Sequence, residues 1–142
     1  MSFSPYVFFN GDCAAAFARY AEVLGGETRI MTHADLPDGE ESMPGAEPHH
    51  VMHAALVTGD GNGDLLMGSD DPTSDGGPKV GVSVAYTAPD ATTGRSVFEQ
   101  LAEGGTIEMP FAPTFWSAGF GALRDRWGVP WFIDTASEPD GA

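Results

Sequence analysis

Histidines carry most of the side-chain chemistry that this sequence offers for metal binding or proton transfer, and three of the four fall within residues 49–53. If this stretch is an extended strand, His49 and His53 share a face but lie ~13 Å apart, and His50 points to the opposite face. The pattern therefore does not predict one ion bound by all three. His53, within the apolar run MHAAL, is the candidate catalytic residue, as a general base or a hydrogen-bond donor. The alternative is a histidine whose hydrogen bonds serve only the structure.

Cys13 and an acidic segment resemble reactive or metal-binding features, but both favour a structural interpretation. Cys13 opens a predicted helix whose dipole lowers the pKa of a thiol, whereas the neighbouring Asp12 opposes that shift. No histidine is adjacent, so we interpret Cys13 as a small first-turn residue. Segment 60–71 has the ligand spacing of a calcium loop, but Leu65 stands where that loop requires glycine. We interpret this segment as a hairpin turn, and we predict no metal site there.

The composition limits the possible partners and the location. The 142 residues suffice for one domain, and 6 basic against 21 acidic side chains produce a formal net charge of -15. That charge repels nucleic acid and anionic membranes, and no apolar run approaches the ~20 residues of a membrane span. The chain starts without the basic region of a signal peptide and has one cysteine, so we expect a cytoplasmic protein. The charge either keeps the protein soluble or attracts a cationic ligand, and composition does not distinguish these two.

The first half of the chain predicts one strand, one helix and three further strands. The first strand covers 5–9, and the helix covers 13–24 because apolar residues recur there at i, i+3, i+4 and i+7. Asp12 is placed to cap the first turn of this helix, and Gly25-Gly26 ends it. An acidic loop at 34–48 separates the second strand from the third and fourth, HVMHAALVTG and DLLMGSD.

The second half repeats this order. A strand at 79–87 precedes a helix at 91–103 with Asp90 as its cap, and three more strands follow. The last two of them, FWSAGFGALRD and VPWFIDT, are joined by a turn at 126–128. The sequence therefore predicts an α+β fold made of two βαβββ modules by internal duplication. Within a single domain over 1–142, the predicted parts are module one (1–69), a linker (70–78), module two (79–136) and a C-terminal tail (137–142).

Four segments, taken in order, make the sequence similar to a known family. They are FFNGDCAAAFARYAEVLGGE, MHAALVTGDGNGDLLMGSDD, VFEQLAEGGTIEMPFAPTFW and FGALRDRWGVPWFIDT. Together they resemble the PhnB-like branch of the vicinal oxygen chelate superfamily, which includes glyoxalase I, extradiol dioxygenases and bleomycin-resistance proteins. The resemblance implies curved mixed sheets around a cleft, with helices on the convex side, and it implies a homodimer.

Metal-dependent members of that superfamily bind a divalent ion in the cleft through ligands on the first and last strands of each module. The corresponding positions here are Pro5 and Ser83 on the first strands, and Leu66 or Met67 and Trp131 or Phe132 on the last strands. None of these side chains supplies the imidazole or carboxylate that a first-row divalent ion prefers. We therefore predict no metal and no other cofactor, with a divalent metal at a rearranged site around His53 as the alternative.

Strand alternation then suggests which residues border the cleft. In the strand at 79–87 the bulky face, which includes Val80 and Val82, is expected to pack on the helices, and the small face is expected to leave room for a ligand. The predicted ligand-binding residues are mostly apolar or aromatic: Val7, Phe9, Met67, Ser83, Trp116, Phe120 and Trp131. For each aromatic residue the alternative is a core or dimer contact.

The sequence thus predicts a PhnB-like, glyoxalase-like protein that binds a small molecule in an aromatic cleft without the usual metal ligands. The alternative is a metal-dependent lyase, isomerase or dioxygenase with its site around His53. PhnB-like proteins often carry a 3-demethylubiquinone methyltransferase description, but no glycine-rich loop joins a strand to a helix here, so we do not expect that activity. Whether the protein is an enzyme stays open at this point.

Overall fold

A computed structural model of the chain describes residues 3–37, 40, 44–58 and 64–136. The chain divides into two compact units, Met1–Gly77 and Pro78–Ala142. Each unit has one α-helix and one four-stranded mixed sheet, which confirms the predicted α+β class and the two βαβββ modules. The turn at 60–63 and the tail at 137–142 lie outside the described residues. None of the helices in the described part of the chain is long and apolar enough to cross a membrane.

The sheet of the first unit has one parallel pair of strands, which lies at its edge. Its elements are β1 (Tyr6–Phe9), α1 (Cys13–Leu24), β2 (Glu27–Thr32), a short 3₁₀ helix (His33–Asp35), β3 (Val51–Thr58) and β4 (Asp64–Asp70). The spatial order of the strands is β1-β4-β3-β2. β1 is parallel to β4, whereas the β4–β3 and β3–β2 pairs are antiparallel.

The second unit repeats this topology. Its elements are β5 (Val84–Ala88), α2 (Ala91–Ala102), β6 (Thr106–Ala112), β7 (Phe120–Arg124) and β8 (Pro130–Thr135). The spatial order β5-β8-β7-β6 matches that of the first unit, and β5 is parallel to β8.

The start of α1 is held by a residue that is distant in sequence. The side chain of Asp12 makes no capping hydrogen bond, so the prediction that it caps α1 is wrong. Instead, the buried carboxylate of Asp70, at the end of β4, accepts hydrogen bonds from the backbone N–H groups of Gly11 (2.7 Å) and Cys13 (3.1 Å). Asp70 thereby pairs the Cys13 N–H, one of the donors that the first turn of a helix leaves free, and it also holds the turn just before the helix.

The start of α2 is capped locally, as the sequence predicts. The Asp90 carboxylate accepts the N–H of Thr93 at 2.7 Å. Gly94, which weakens an isolated helix, has a packing role here, because a Cβ at this position would lie 2.9 Å from the Phe111 ring. The glycine therefore allows α2 to approach the sheet closely.

Two strands are shorter than the sequence predicts. β5 begins at Val84 rather than at residue 79, because Gly81 has φ +86°, which an extended strand does not adopt. Val80 and Val82 are consequently 78% and 74% exposed, so the expectation that they pack on a helix is wrong. β7 likewise begins only at Phe120.

Candidate functional site

The sheet of the first unit has one face against α1 and one face turned away from it, which we call the open face. The rings of Phe9 and Phe17 on α1 pack with centroids 6.3 Å apart. A Cβ at Gly68, which pairs with Val7, would lie 2.9 Å from the Phe17 ring. Since side chains alternate along a strand, Val7 and Phe9 lie on the helix side, and Tyr6 and Phe8 lie on the open face.

His53 lies on the open face of β3, within reach of Tyr6 on β1. The Tyr6 Oη and the His53 Nδ1 are 3.3 Å apart, and the two ring centroids are 5.8 Å apart. A phenol and an imidazole can exchange a hydrogen bond in either direction. The pair can therefore donate to, or accept from, a polar group bound on this face. His53 is a predicted site residue, whereas Tyr6 is not, because the predicted register placed the odd-numbered residues of β1 on the cleft wall.

Other side chains of this open face surround the pair with apolar and cationic groups. Met67 lies opposite Tyr6 in the β1–β4 register, and Met31 lies opposite His53 in the β2–β3 register. Arg29, two residues before Met31 on β2, points to the same face and is exposed. The face therefore offers an imidazole, a phenol, thioethers and one guanidinium.

The helix side of the second sheet is centred on Trp131. This residue is 1% exposed, and its indole Nε1 donates to Asp125 Oδ2 at 3.0 Å. The other carboxylate oxygen of Asp125 accepts the backbone N–H groups of Trp127 and Val129, each at 2.9 Å. Trp131 is thus a core residue that helps hold the turn between β7 and β8.

The open face of the second unit carries a chain of aromatic rings, which we call the aromatic row. It consists of Phe115, Trp116, Phe120 and Phe132. Successive ring centroids are 4.8 Å, 5.4 Å and 5.6 Å apart. Trp116, in the loop before β7, is 49% exposed, and Phe132 on β8 is 42% exposed, although the residues on either side of Phe132 are buried. Exposed, contiguous apolar groups of this kind are typical of binding surfaces.

A buried serine holds the loop that carries Trp116. The Ser117 hydroxyl is 1% exposed and lies 2.7 Å from the Gly119 carbonyl and 3.1 Å from the Thr135 hydroxyl. It also donates to Asp134 Oδ1, and Asp134 lies on the same face of β8 as Phe132. The predicted strand FWSAGFGALRD is wrong over residues 115–119, and for that reason this hydrogen-bonded cluster was not predicted.

Three of the predicted ligand-binding residues belong to the open faces. Met67 lies on the open face of the first unit, and Trp116 and Phe120 belong to the aromatic row of the second. The structure brings Trp116 and Phe120 together, as the predicted alternation does. Whether these side chains bind a ligand stays a prediction.

Four other predicted residues lie elsewhere. Phe9 and Trp131 are each 1% exposed on the helix sides of their sheets, and Val7 shares the side of Phe9, so their predicted placement on a ligand-facing wall is wrong. The reason is the strand register, since Val7 and Phe9, the odd-numbered residues of β1, face the helix. Ser83 is exposed, but it precedes β5 and lies outside the sheet.

The residues present do not fit the divalent ion that the family resemblance implies. At the corresponding strand positions, Pro5, Met67 and Phe132 have no imidazole or carboxylate, and Trp131 is buried. Among the described residues, the one group of three or more ligand-type side chains close enough to hold an ion is Glu47, His49 and His50. That group lies in the turn before β3, outside both sheets.

Cys13 has no reactive character in the folded protein. Its side chain is fully buried, and burial, followed by the negative charge of Asp70, raises the pKa of its thiol to about 12. A thiol with such a high pKa is a poor nucleophile and a poor metal ligand at neutral pH. This agrees with the interpretation of Cys13 as a small first-turn residue.

Comparisons with known proteins agree with this architecture. A family model described as the glyoxalase/bleomycin resistance protein/dioxygenase superfamily matches residues 2–133. Protein YjdN of Escherichia coli K12 is 32% identical over 145 residues, covering 97% of both chains. The crystal structure of protein PA1353 from Pseudomonas aeruginosa is 37% identical, covers 99% of both chains and has a TM-score of 0.80.

A second solved structure carries the methyltransferase description. It is a Bacillus cereus PhnB protein described as a candidate 3-demethylubiquinone-9 3-methyltransferase, which is 26% identical, with a TM-score of 0.72, over 96% of this chain and 100% of that one. The match of the family model over nearly the whole chain, together with these relatives, is sufficient for assignment. The chain belongs to the glyoxalase/bleomycin resistance protein/dioxygenase superfamily, and it is similar to the PhnB proteins within it.

Proposed function

We propose that this protein binds a small amphipathic molecule on its open faces without the divalent metal of its metal-dependent relatives. The observation that carries the proposal is the aromatic row, in which Trp116 and Phe132 keep 49% and 42% of their surface exposed. A surface with few polar groups among aromatic rings suits a ligand that has a flat apolar part.

The charge of the protein favours a cationic ligand. The formal net charge of -15 attracts cations, and aromatic faces bind them through their ring quadrupoles. Asp134, half-buried beside Phe132 on the same face, adds a carboxylate at one end of the aromatic row. An aromatic molecule with a quaternary ammonium group combines the two properties that this surface recognises.

A matched pair of naphthalene probes tests this, one with a trimethylammonium group and one neutral. We expect the cationic probe to bind more tightly, measured by calorimetry, and Phe132→Ala to weaken its binding by roughly tenfold, about the value of one desolvated ring contact. Phe3→Ala is the control, because Phe3 is 100% exposed and lies outside both sheets. Equal weakening by both variants, or no binding of either probe, would reject the proposal.

The alternative function is metal-dependent lyase, isomerase or dioxygenase chemistry around His53. The observation that favours it is the 3.3 Å contact between His53 Nδ1 and Tyr6 Oη, which resembles an acid–base pair. Its test is the metal content of protein purified without an affinity tag or chelator, by elemental mass spectrometry. Near-stoichiometric metal that is lost in His53→Ala would support this alternative and count against the metal-free proposal.

Methyl transfer is the third possibility, and it comes from the description of the Bacillus cereus relative. The chain has no glycine-rich loop between a strand and a helix that would bind a nucleotide cofactor. We therefore expect calorimetry to detect no binding of S-adenosylmethionine. Binding at micromolar concentration would reinstate this activity as a candidate.

The homodimer that the family resemblance implies, and a cytoplasmic location, complete the proposed function. Exposed apolar side chains on both open faces, such as Phe8 (51%) and Phe132 (42%), are compatible with a self-association surface as well as with a ligand site. Light scattering of the purified protein is expected to give twice the mass of the 14.9 kDa chain. A monomer at all concentrations would remove this part of the proposal.

A further inference from the structure

The turn that precedes β3 brings together three metal-ligating side chains that neither open face uses. One ligand atom from each of Glu47, His49 and His50 lies within 4.8 Å of the others. The two imidazole centroids are 4.5 Å apart. The prediction that His49 and His50 point to opposite faces of a strand is wrong, because β3 begins only at Val51.

The backbone of this turn is fixed by hydrogen bonds to itself and to the 3₁₀ helix. The His50 N–H donates to the Glu47 carbonyl at 3.0 Å, and the His33 N–H donates to the His50 carbonyl at 3.0 Å. The Ala34 N–H donates to the Pro48 carbonyl, also at 3.0 Å. Two segments that are distant in sequence therefore hold the three side chains near one another before any ion binds.

The side-chain contacts within the turn are those that an ion would use or replace. His49 Nδ1 lies 3.3 Å from Glu47 Oε2, so this carboxylate already faces the imidazole. His50 Nδ1 accepts the Glu47 N–H at 2.9 Å. An ion bound to Nδ1 of His50 replaces that hydrogen bond directly. An ion bound to Nε2 also ends it, because the proton of the neutral imidazole is then on Nδ1, which can no longer accept. Glu47 is exposed, so water can replace His50 as the partner of its amide.

We propose that Glu47, His49 and His50 bind one divalent first-row transition-metal ion, with zinc as its representative. Two imidazoles and one carboxylate are a donor set that zinc prefers, and water completes a four-coordinate site with three protein ligands. Neighbouring ligand atoms in such a site are ~3.4 Å apart, given zinc–ligand bonds of about 2.1 Å. The Glu47 and His49 side chains are exposed, so they can rotate to shorten the spacing from 4.8 Å towards that value.

This proposal is independent of the ligand site proposed above. The residues concerned lie before β3 rather than on the open face that carries His53. A zinc ion here stabilises the turn and the 3₁₀ helix bonded to it, or presents an exposed coordination position to a partner. Both uses leave the aromatic row unchanged.

The test is calorimetric titration of zinc into protein that has no affinity tag and has been stripped with a chelator. A large excess of Mg²⁺ is present throughout, because a protein with a net charge of -15 holds divalent ions non-specifically on its carboxylates. We expect one zinc ion per chain. The double variant His49→Gln/His50→Gln is expected to lose at least tenfold to a hundredfold in affinity, since even partners that only orient a ligand have effects of that size.

His53→Gln is the matched control, because it makes the same substitution in the same unit but on the open face. We expect it to bind zinc like the unchanged protein, and Glu47→Gln to weaken binding less than the double variant does. The absorption spectrum of the Co²⁺ form provides a second readout, and the spectrum of a tetrahedral site is expected to disappear in the double variant. The absence of zinc binding, its persistence in the double variant, or its loss in His53→Gln would each overturn the proposal.

Discussion

The two units share a helix-covered side and differ on the other side of the sheet. In each unit a 12-residue helix packs an aromatic ring, Phe17 or Phe98, close to a glycine of its sheet. The open face of the first unit presents the Tyr6–His53 pair, whereas that of the second presents the aromatic row. Packing restricts the helix side in both units, whereas the two open faces carry different kinds of side chain.

The units also differ in how their helices begin. Asp90 caps α2 from within its own turn, and it is exposed. Asp70 holds the start of α1 from the end of β4, is buried, and also accepts the N–H of Val51 at the start of β3 at 2.8 Å. One carboxylate thus joins three segments in the first unit, so we expect the stability of that unit to depend on Asp70 more than the second unit depends on Asp90.

The largest expected effect is a difference in stability between substitutions on the two sides of β8. Trp131→Ala removes a buried indole and its hydrogen bond to Asp125 and is expected to lower the free energy of unfolding by about 3–5 kcal/mol. The next residue, Phe132, lies on the open face, and Phe132→Ala is expected to lower it by less than about 1 kcal/mol. Urea denaturation measures both, and similar losses for the two variants would show that the register assigned to β8 is wrong.

The second prediction compares the two helix starts. Asp70→Ala leaves three buried or partly buried N–H groups without their charged acceptor, so the free energy of unfolding is expected to fall by about 3 kcal/mol. Asp90→Ala leaves the Thr93 N–H, at an exposed site, to bond with water, so it is expected to lower the free energy of unfolding clearly less. Asp70→Asn, which keeps one acceptor oxygen, should fall between the unchanged protein and Asp70→Ala in the same denaturation experiment. An Asp90→Ala loss equal to that of Asp70→Ala would contradict the contrast between the units.

The third prediction asks whether the close approach of helix and sheet is equally strict in both units. A Cβ at Gly121 would lie 2.7 Å from the Phe98 ring and 2.9 Å from the Phe111 Cα, and a Cβ at Gly68 would lie 2.7 Å from the Val7 carbonyl. Because these neighbours include backbone atoms, Gly121→Ala and Gly68→Ala are each expected to lower the free energy of unfolding by about 1–3 kcal/mol. Thermal denaturation measures both variants, and a tolerated substitution in one unit would show that its helix and the contacting strand backbone can shift.

Local pattern predicted most of the fold, and contacts between distant residues account for what it missed. The bounds of α1 were predicted correctly from the spacing of its apolar residues and from Gly25-Gly26, because both signals depend only on residues close together in sequence. The sequence contains no local sign that Asp70 rather than Asp12 holds that helix. Residues 80–83 do alternate between larger and smaller side chains, as in a strand. The positive φ of Gly81 nevertheless interrupts the extended backbone, so the strand begins only at Val84.

The candidate site was harder to predict than the fold, because a shift of one residue exchanges the two faces of a strand. That shift put Phe9 and Val7 on the ligand side and left Tyr6 unnoticed. Trp116 and Phe120 were grouped correctly, although Trp116 reaches Phe120 from a loop held by Ser117 rather than from the strand. The aromatic content was visible in the sequence, whereas the direction of each ring depended on register and on buried hydrogen bonds.

The last prediction uses Cys13, the one cysteine of the chain, to observe the first unit by itself. Its thiol is fully buried next to Asp70, so at neutral pH it should react with an alkylating reagent only when the start of α1 opens. We expect Asp70→Ala to accelerate labelling strongly and Asp90→Ala to accelerate it little, as measured by mass spectrometry over time.

The pH dependence has a definite sign. The pKa of this thiol is raised from 9.0 to about 12 on folding, so the stability that Cys13 contributes is complete below pH 9 and declines as the pH rises towards 12. Cys13→Ala should therefore make the alkaline loss of stability less steep than in the unchanged protein, with urea denaturation at several pH values as the measurement. Rapid labelling of the unchanged protein at neutral pH, or an equal alkaline loss in Cys13→Ala, would mean that this thiol is more accessible than its burial indicates. In that case the start of α1 would open more readily than Asp70 should permit, and the contrast between the two helix starts would no longer hold.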